Sequence, residues 1–405
     1  MATNYNNHKR AGKNNSLFHT EILHGMKKAV IVLPTYNEKE NVSTLIPTLF
    51  SIQKVLKDWR IAVLVVDDSS PDKTADAVVV MQKKFPQLYL ISGKKEGLGK
   101  AYQRGFTYAL KELAPDVLFE MDADWSHDPK KIPSFLEAID AGSDMVIGSR
   151  YMKGGSIPQN WAWYRKIFSI MSNLFVRVGF MHLSQKEWTN GFRAIRKWVV
   201  EKNLPSMGLY NGYVFQIAFL DKTLKLEAKI SEVPIHFTDR NQGESKINAP
   251  QYIGQIIHYV LTHSSFIRYV LVGIVGFSID FMIAYLLISF HVASKVFANM
   301  ISAEIAIISN FTWNNLWSFS HKRIKGTTSS LLKQFLVFNL IASGSILIQG
   351  GGLGLMLKFL GDSRFNMGIV SIQSWIVYKI FIIVFIIIPY SYLLYNKVVW
   401  KKSNN

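Results

Sequence analysis

Long apolar segments in the last third of the chain constrain the fold more than any other feature. Four stretches after residue 265 approach the roughly 20 apolar residues that a helix needs to cross a bilayer. They cover residues 269–290, 296–316, 335–357 and 369–394. From residue 266 onward the chain has 12 Lys and Arg but only 3 Asp and Glu, a composition typical of membrane segments and not of a nucleic-acid-binding surface. The sequence therefore predicts an all-α, four-helix transmembrane domain over residues 266–400.

The basic residues of the short loops predict the orientation of these helices. The loop between the second and third segments holds four Lys and Arg, and the C-terminal tail holds three Lys, whereas the two opposite loops hold few. Because Lys and Arg concentrate on the cytoplasmic side, we expect an integral membrane protein with both termini and the soluble part in the cytoplasm.

Three charged residues fall inside the predicted spans: Asp280, Glu304 and Lys379. A lone charge there costs at least ~2.5 kcal/mol on insertion scales, so we expect all three to face the interior of the bundle. They could form a polar path for a lipid headgroup or an ion pair or polar network that holds the helices together. The second interpretation is favoured, since nothing else in the bundle indicates a ligand.

The soluble part has a different pattern. Residues 1–26 are rich in Asn, Lys and His and lack an apolar core, which predicts a disordered basic tail and not a signal peptide. The chain has no cysteine, so disulfide scaffolds, thiolate nucleophiles and cysteine zinc sites are excluded. Over residues 27–248, strand-like and helix-like segments alternate, which predicts an α/β domain with a mostly parallel sheet. Amphipathic stripes predict a helix on the membrane surface at 161–180 and a linker helix at 249–265.

Acidic clusters follow three of the predicted strands. The strands at 29–33, 61–66 and 117–121 end in PTYNE, DDSSPD and DAD, respectively. Ligands of such sheets bind beyond the carboxyl ends of the strands. Asp122 and Asp124 are two residues apart and share a face, and carboxylates of this kind hold Mg²⁺ or Mn²⁺ against a pyrophosphate. Three such clusters in one domain predict a metal and nucleotide site.

The motifs together resemble the dolichyl-phosphate mannosyltransferases of glycosyltransferase family 2. The residues that carry the resemblance are PTYNE (34–38), VDDSSPDKT (66–74), MDADWSHDP (121–129), GSRY (148–151), TNGFRA (189–194) and VPIHFTDRNQGESK (233–246). The resemblance implies a GT-A fold and transfer of mannose, with inversion, from GDP-mannose to a polyprenyl (dolichyl) phosphate. The membrane segment, with FIRYVLVGIVGFSIDF (266–281) and NFTWNNLWSF (310–319), resembles GtrA-like domains, which implies a partner for lipid chemistry.

The resemblance also implies roles for individual residues. The guanosine part of the donor would be held by Pro34, Tyr36, Glu38, Val66 and Asp68. The pyrophosphate would lie at Asp122, Ala123 and Asp124, with Asp122 and Asp124 as metal ligands and Asp124 the firmer of the two. The cations that close on the phosphates and the mannose would be Arg150, Arg240 and Lys246. Asp124 and Arg150 would act in catalysis, and Arg150 and Arg165 would bind the lipid phosphate. The chain departs from the family at Ser126, where some members have a metal-binding Gln, and at Glu187, where Asp is usual.

The chemistry is consistent with these roles. A metal ion and nearby cations stabilise the charge that grows on the leaving pyrophosphate. A phosphate monoester has a second pKa of about 6 and is largely ionised at neutral pH, so the acceptor needs a cationic cradle more than a strong base. Arg forks suit phosphate best. Arg165, on the membrane-surface helix, could equally contact bilayer headgroups. His127 could be a base, although a capping role is the better interpretation.

Two alternatives stay open at this stage, as does a combination in which the enzyme makes the lipid-linked sugar and the membrane bundle moves it. The same mechanism could use UDP-glucose or another nucleotide sugar, because the motifs specify a nucleotide and a metal better than a base or a hexose. A protein of another class, a lipid-sugar transporter with a nucleotide-sugar sensor, would bind the donor without turnover. A processive polysaccharide synthase is disfavoured, since the chain lacks a Gln-x-x-Arg-Trp motif.

Overall fold

The computed structural model describes residues 25–239, 249–324, 327–367 and 370–401. Arg240 and Lys246, to which the resemblance assigns the donor phosphates, and nearly all of the predicted basic tail lie outside these residues. Two compact units are present. One comprises the chain up to Arg177 together with His182–Tyr259, and the other comprises Val178–Met181 and the chain from Val260 onward.

The first unit is built on a seven-stranded mixed sheet. Its strands are β1 (Lys27–Thr35), β2 (Trp59–Asp67), β3 (Leu88–Ser92), β4 (Val117–Glu120), β5 (Met145–Ser149), β6 (Arg193–Arg196) and β7 (Ile230–Pro234). They lie in the order β3-β2-β1-β4-β6-β5-β7, and only β6 runs antiparallel to its neighbours. The prediction of an α/β domain with a mostly parallel sheet is confirmed.

In the described part of the chain, seven α-helices lie between the strands of this sheet and an eighth follows the last strand. They are α1 (Lys39–Ile52), α2 (Thr74–Gln82), α3 (Leu98–Tyr108), α4 (Ile132–Asp140), α5 (Trp163–Phe180), α6 (Lys197–Asn203), α7 (Val214–Lys225) and α8 (Ala249–His263). Residues 29–33 of β1 are completely buried, as expected for a parallel strand that is covered on both faces. Helix α3 packs closely on the sheet at Gly105, where a Cβ atom would lie 2.5 Å from Cγ1 of Val32.

Helix α5 carries an uncovered apolar face. The predicted stripe is exposed, from 37% at Phe175 to 53% at Met171, with Ile167, Ile170 and Leu174 between these values. An apolar patch of this kind marks an interaction surface. The position of α5 on a membrane stays a prediction.

The second unit is mainly helical. Its elements are α9 (Ser265–Ser289), α10 (Lys295–Trp313), α11 (Thr328–Leu360), β8 (Arg364–Met367), β9 (Val370–Gln373), α12 (Ser374–Ile382) and α13 (Ile388–Leu394). Within the described ranges, three helices are long and apolar enough to cross a membrane: Ser265–Ser289, Thr328–Leu360 and Ser374–Val399. The predicted second span forms helix α10, which is not one of these three, so the number of four spans stays a prediction.

The fourth predicted span begins later than the sequence indicated. Residues that were expected to start this span at 369 include strand β9, which pairs with β8 in an antiparallel hairpin. The helix begins at Ser374, whose hydroxyl donates to Asp362 (3.0 Å) and accepts from the amide of Ser363 (3.0 Å). These polar contacts lie where the hairpin ends and the helix begins. The length of an apolar run does not predict such a boundary.

Of the three charged residues that were expected to face the interior of the bundle, Glu304 is exposed, so the expectation is wrong for that residue. Asp280 is half-buried and has a partner. The hydroxyl of Ser302 in α10 donates to Oδ1 of Asp280 in α9, at 2.5 Å. Nearby, α10 approaches α9 at Gly276, where a Cβ atom would lie 2.1 Å from Oδ1 of Asn310. These contacts support the interpretation of Asp280 as a residue that holds two helices together.

Candidate active site

The ends of β1 and β2 bring the first two acidic clusters together. Pro34 and Val66 are register partners on these neighbouring parallel strands. One residue further on, Asp67 is buried and accepts from the hydroxyl of Thr35 (3.0 Å) and from the amide of Ser70 (2.9 Å). Asp67 therefore joins the two strand ends to each other, and its neighbour Asp68 has other partners.

Asp68 forms an ion pair that the sequence did not indicate. The guanidinium of Arg104, from helix α3, donates to Oδ1 of Asp68 and also to the carbonyl of Lys94 (3.1 Å). Burial raises the pKa of Asp68, and Arg104 opposes this effect. The ammonium of Lys95 lies 3.5 Å from the ring centroid of Tyr36. A lone arginine 36 residues after Asp68 has no recognisable spacing, so only the fold places it here.

Glu38 lies at the same edge of the sheet, at the start of helix α1. Its side chain accepts from the amide group of Asn41 (2.6 Å), and its backbone amide donates to the hydroxyl of Thr74 (3.1 Å). The five residues that the resemblance assigns to the guanosine part thus lie in the segments that follow or end β1 and β2.

The Asp-Ala-Asp segment follows β4 in a tightly curled loop. Asp124 is 8% exposed, whereas the side chain of Asp122 is 36% exposed. Trp125 has a φ of +66°, a conformation that is rare for a bulky residue and indicates local strain. Its carbonyl accepts from the hydroxyl of Thr238 (3.0 Å) and its indole donates to Thr44 (3.1 Å), so contacts from both sides hold the loop in place.

The donor atoms of this loop suit a divalent cation that is shared with a substrate. In the part of the chain that the structure describes, no His, Asp or Glu joins the two aspartates in a group of three that could hold a metal. The hydroxyl of Ser126 is buried and has no partner among the described residues. Two carboxylates with a spare hydroxyl leave several coordination positions for pyrophosphate oxygens and water, which is the arrangement that Mg²⁺ prefers.

His127 is neither an exposed base nor a helix cap. It is buried, its Nδ1 accepts from the amide of Asp122 (3.2 Å), and its Nε2 lies 2.9 Å from Oδ1 of Asn190. An Nδ1 that accepts a hydrogen bond requires the neutral ring with its proton on Nε2. The cap of the following turn is Asp128, which accepts from the amide of Lys130 (3.0 Å). The capping interpretation of His127 is therefore wrong, because both ring nitrogens are used inside the domain.

Arg150 and Glu187 form a buried bidentate ion pair. Nε and Nη2 of Arg150 each donate to Glu187 at 2.8 Å, and Nη2 also donates to the hydroxyl of Thr189 (2.8 Å). Burial would raise the pKa of Glu187, but Arg150 and the Thr189 donors hold it below its usual value. The arginine side chain is only 8% exposed. Its assigned role at the phosphates stays a prediction, and the structure adds Glu187 as its partner.

Arg165 is the more accessible of the two predicted lipid-phosphate residues. Its guanidinium is half exposed, stacks 4.0 Å from the ring centroid of Trp161, and lies 3.4 Å from Asp239. The indole of Trp161 also donates to Asp239 (2.7 Å). Trp161 and Asp239 thus fix Arg165 in one position while its charge remains in contact with solvent.

A second buried pair, Glu120 and Arg193, lies on the strands β4 and β6. Burial raises the pKa of Glu120 to about 7, with Nε of Arg193 at 3.8 Å. Arg193 donates to the backbone carbonyls of Trp188 (2.9 Å), Asn190 (2.8 Å) and Gln216 (2.7 Å). The arginine of the TNGFRA motif is therefore a core residue that shapes the loop before it.

Comparisons with known proteins agree with this architecture. Residues 30–198 match the family described as glycosyl transferase family 2, and residues 268–400 match the GtrA/DPMS transmembrane domain. A dolichol-phosphate mannosyltransferase from Pyrococcus furiosus is 33% identical over 314 residues, which are 76% of this chain and 85% of that protein.

Two further relatives match over about half of the chain. A polyprenol monophosphomannose synthase from Mycolicibacterium smegmatis is 36% identical over 55% of this chain and 82% of its own length. An undecaprenyl-phosphate mannosyltransferase from Micrococcus luteus is 37% identical over 55% of this chain and 88% of its own length. The predicted resemblance is confirmed, and the chain is a glycosyltransferase that belongs to the dolichol- and polyprenol-phosphate mannosyltransferase family, with a family 2 catalytic domain and a GtrA/DPMS membrane domain.

Proposed function

We propose that this glycosyltransferase moves mannose from GDP-mannose to a polyprenyl (dolichyl) phosphate, with inversion and with a bound Mg²⁺ or Mn²⁺, at the cytoplasmic face of a membrane. The observation that carries the proposal is the convergence of the polar segments after β1, β2 and β4 at one edge of the sheet, with the Asp-Ala-Asp loop among them. The names of the relatives supply the sugar and the lipid class.

The donor nucleoside would lie over the ends of β1 and β2. Tyr36 offers a ring face that a cation already approaches, and Asp68 offers a carboxylate. A carboxylate accepts two hydrogen bonds from the N1–H and N2–H₂ edge of guanine, whereas uracil offers a single N–H. This difference favours GDP-mannose over UDP-glucose, with Pro34, Val66 and Glu38 completing the pocket.

The metal would be held by Asp122 and Asp124. When bound, it neutralises charge that develops on the departing pyrophosphate. Ala123, between the two aspartates, is small and buried. Arg240 and Lys246 would approach the same phosphates from the segment that follows Asp239. In the transfer, an oxygen of the lipid phosphate bonds to C1 of mannose as the bond from C1 to the GDP oxygen breaks.

The acceptor phosphate would meet Arg150 and Arg165. Arg165 lies on the same helix as the exposed apolar stripe of α5, so a helix on the bilayer surface presents this charge at headgroup depth. The ion pair with Glu187 orients Arg150 without occupying all of the N–H donors of its guanidinium group. A lipid phosphate is already ionised and needs no proton removed, which agrees with the internal use of His127.

The membrane domain would supply four spans, with α10 as the second, and both termini in the cytoplasm. The predicted limits of 27–248 for the catalytic domain, 249–265 for the linker helix and 266–400 for the membrane domain are kept in this proposal.

The proposal is tested with the full chain in detergent, Mn²⁺ or Mg²⁺, and polyprenyl phosphate. Radiolabelled GDP-mannose and UDP-glucose are offered separately, and label that moves into the lipid phase is counted. We expect metal-dependent transfer from GDP-mannose. Transfer from UDP-glucose alone would replace the substrate, and donor binding without any transfer would favour a sensor.

A pair of substitutions tests the metal assignment. Asp124→Asn should abolish transfer, because it removes a charged ligand while keeping the shape of the side chain. Asp128→Asn is the matched control, since Asn caps a helical turn about as well as Asp. Transfer that survives Asp124→Asn would remove the metal assignment.

A further inference from the structure

One buried side chain connects two of the motifs that form the site. Asn190, in the TNGFRA segment, is 3% exposed. Its Oδ1 lies 2.9 Å from Nε2 of His127 in the metal loop, and its Nδ2 donates to the carbonyl of Gly148 at 2.6 Å. Gly148 is the first residue of the GSRY motif, two residues before Arg150. No sequence spacing indicates this bridge, because the three segments are 21 or more residues apart.

The contact with His127 reaches the metal loop directly. Nδ1 of the same ring accepts from the amide of Asp122. The ring is also stacked on Phe192, with 5.0 Å between the ring centroids, so it has little freedom to turn. The position of Asn190 is thereby transmitted through one rigid ring to the backbone of the first aspartate.

The backbone of Asn190 reaches the arginine side of the site. Its amide donates to Oε1 of Glu187 at 3.1 Å, the carboxylate that holds Arg150 in a bidentate pair. Glu187 is itself fixed through its own amide, which donates to Glu232 at 2.6 Å. Asn190 is thus bonded to the partner of Arg150 through its backbone and to both motifs through its side chain.

We propose that Asn190 is a positioning residue that sets the metal loop and the GSRY segment in register, so that the donor pyrophosphate and the acceptor phosphate are held at a fixed separation. This inference rests on the proposed function for the identity of the two phosphates. Transfer between two phosphate-bearing substrates requires the reacting atoms to approach within about 3–3.5 Å. The three hydrogen bonds that join Asn190 to His127, Gly148 and Glu187 would hold the two segments at a fixed separation better than separate supports for each segment could.

The experiment compares Asn190→Ala with Asn203→Ala in the full chain in detergent. Asn203 is the matched control, because it is an equally buried asparagine of the same unit whose side-chain NH₂ donates to the hydroxyl of Thr223 (2.8 Å), and neither residue belongs to one of the motifs. Mn²⁺ binding in the presence of GDP is measured from the electron paramagnetic resonance signal of free Mn²⁺. The KM for polyprenyl phosphate and the midpoint of thermal unfolding are measured in parallel.

We expect Asn190→Ala to weaken Mn²⁺ binding about tenfold, the lower end of the range for residues that support metal ligands. The KM for polyprenyl phosphate should also rise, while the unfolding midpoint falls no more than in Asn203→Ala. Equal Mn²⁺ affinities in the two variants would overturn the proposal. If Asn190→Ala does not fold, His127→Gln breaks the same link at the metal loop, and wild-type Mn²⁺ affinity in that variant would overturn it as well.

The two proposals can fail separately. A wild-type chain that binds Mn²⁺ and GDP but moves no mannose refutes the proposed function, and the Mn²⁺ affinity of Asn190→Ala still decides the positioning role. A wild-type chain that transfers mannose, with Asn190→Ala and Asn203→Ala alike in every measurement, refutes only the positioning role.

Discussion

Glu187→Gln is the substitution with the largest expected effect on stability. Glu187 is completely buried, and its two oxygens accept from Arg150, Thr189 and Asn190. The NH₂ group of glutamine cannot accept a hydrogen bond. Among the residues that the structure describes, Oε1 faces four donors, and Oε2 faces two, the nitrogens Nε and N of Arg150. The new NH₂ group should therefore occupy the place of Oε2.

The loss of stability in Glu187→Gln comes from the buried arginine that remains in the protein. The guanidinium of Arg150 stays buried and loses its counter-charge and one of its two hydrogen bonds to Glu187. Removal of one member of a buried ion pair costs about 3–5 kcal/mol. Glu201→Gln provides the control, because Glu201 is about half exposed and lies 3.7 Å from Lys197 in an i, i+4 pair. That exposed pair should contribute at most about 0.5 kcal/mol.

The assay is urea unfolding of the full chain in detergent, with hydrogen exchange read by mass spectrometry. The amides of Thr189 and Asn190 donate to Oε1, which stays an acceptor in Glu187→Gln, so their exchange should rise only through the lower stability of the segment around the lost ion pair. Peptides that contain residues 185–196 should therefore exchange faster than in the wild type. Peptides from β1 and β2 should change less, because their bonds do not depend on this pair.

The contribution of Glu187 to stability should change with pH in a defined direction. The pKa of Glu187 is lowered in the folded state, so its contribution to stability is present above the unfolded-state pKa of about 4.3 and is lost as the pH falls through the folded-state pKa. The difference between wild type and Glu187→Gln should thus be constant from pH 6 to 8 and shrink below about pH 4. A difference under 1 kcal/mol at pH 7.5, or one that grows on acidification, would refute the bidentate pair as the source of stability.

Two further substitutions test packing and acceptor binding. Gly105→Ala should lower the free energy of unfolding by about 1–3 kcal/mol, because the added Cβ would lie 2.5 and 2.9 Å from methyl groups of β1 and β2. Gly208→Ala is the control and should be near neutral, since no atom lies within 4 Å of its Cβ. Equal unfolding midpoints for the two variants would contradict the close packing at Gly105. Arg165→Ala should raise the KM for polyprenyl phosphate about tenfold and leave the KM for GDP-mannose within about twofold. Lys166→Ala, one residue further along the same helix, is the control and should change neither KM. An effect of Arg165→Ala on the KM for GDP-mannose would argue against a role for Arg165 at the acceptor.

Much of the first unit could be predicted because it depends on local patterns. The apolar runs that became β1 and β2 contain almost no polar residues, as fully buried parallel strands require. The i, i+2 spacing of Asp122 and Asp124 is likewise a local pattern that the sequence displays directly. In the second unit, the predicted start of the fourth span was too early, because the apolar residues of β9 continue directly into helix α12. Hydropathy cannot separate a short strand from the first turn of a membrane helix.

The partners of the site residues could not be predicted, because they come from distant parts of the chain. Arg104 reaches Asp68 from helix α3, and Glu187 reaches Arg150 across 37 positions. Each of these bonds exists only after strands from separate segments have paired. The departure from the family at Glu187 illustrates this limit: the sequence shows a longer acid where Asp is usual, and only the fold shows that this acid holds an arginine of another motif.

In the proposed site, the assigned carboxylates follow the strands, whereas neighbouring acids end them. Asp67 and Glu120 are the last residues of β2 and β4, and both are buried among groups of the same unit. Asp68, directly after β2, is also buried but pairs with Arg104 of helix α3. Asp122 lies two positions beyond Glu120, where the chain has left the sheet, and its side chain is 36% exposed. The sequence displays all four as equivalent acids in two clusters. A shift of one or two residues in strand length would change which acids end the strands and which follow them, so the hydrogen bonds that end each strand bear directly on the proposed donor site.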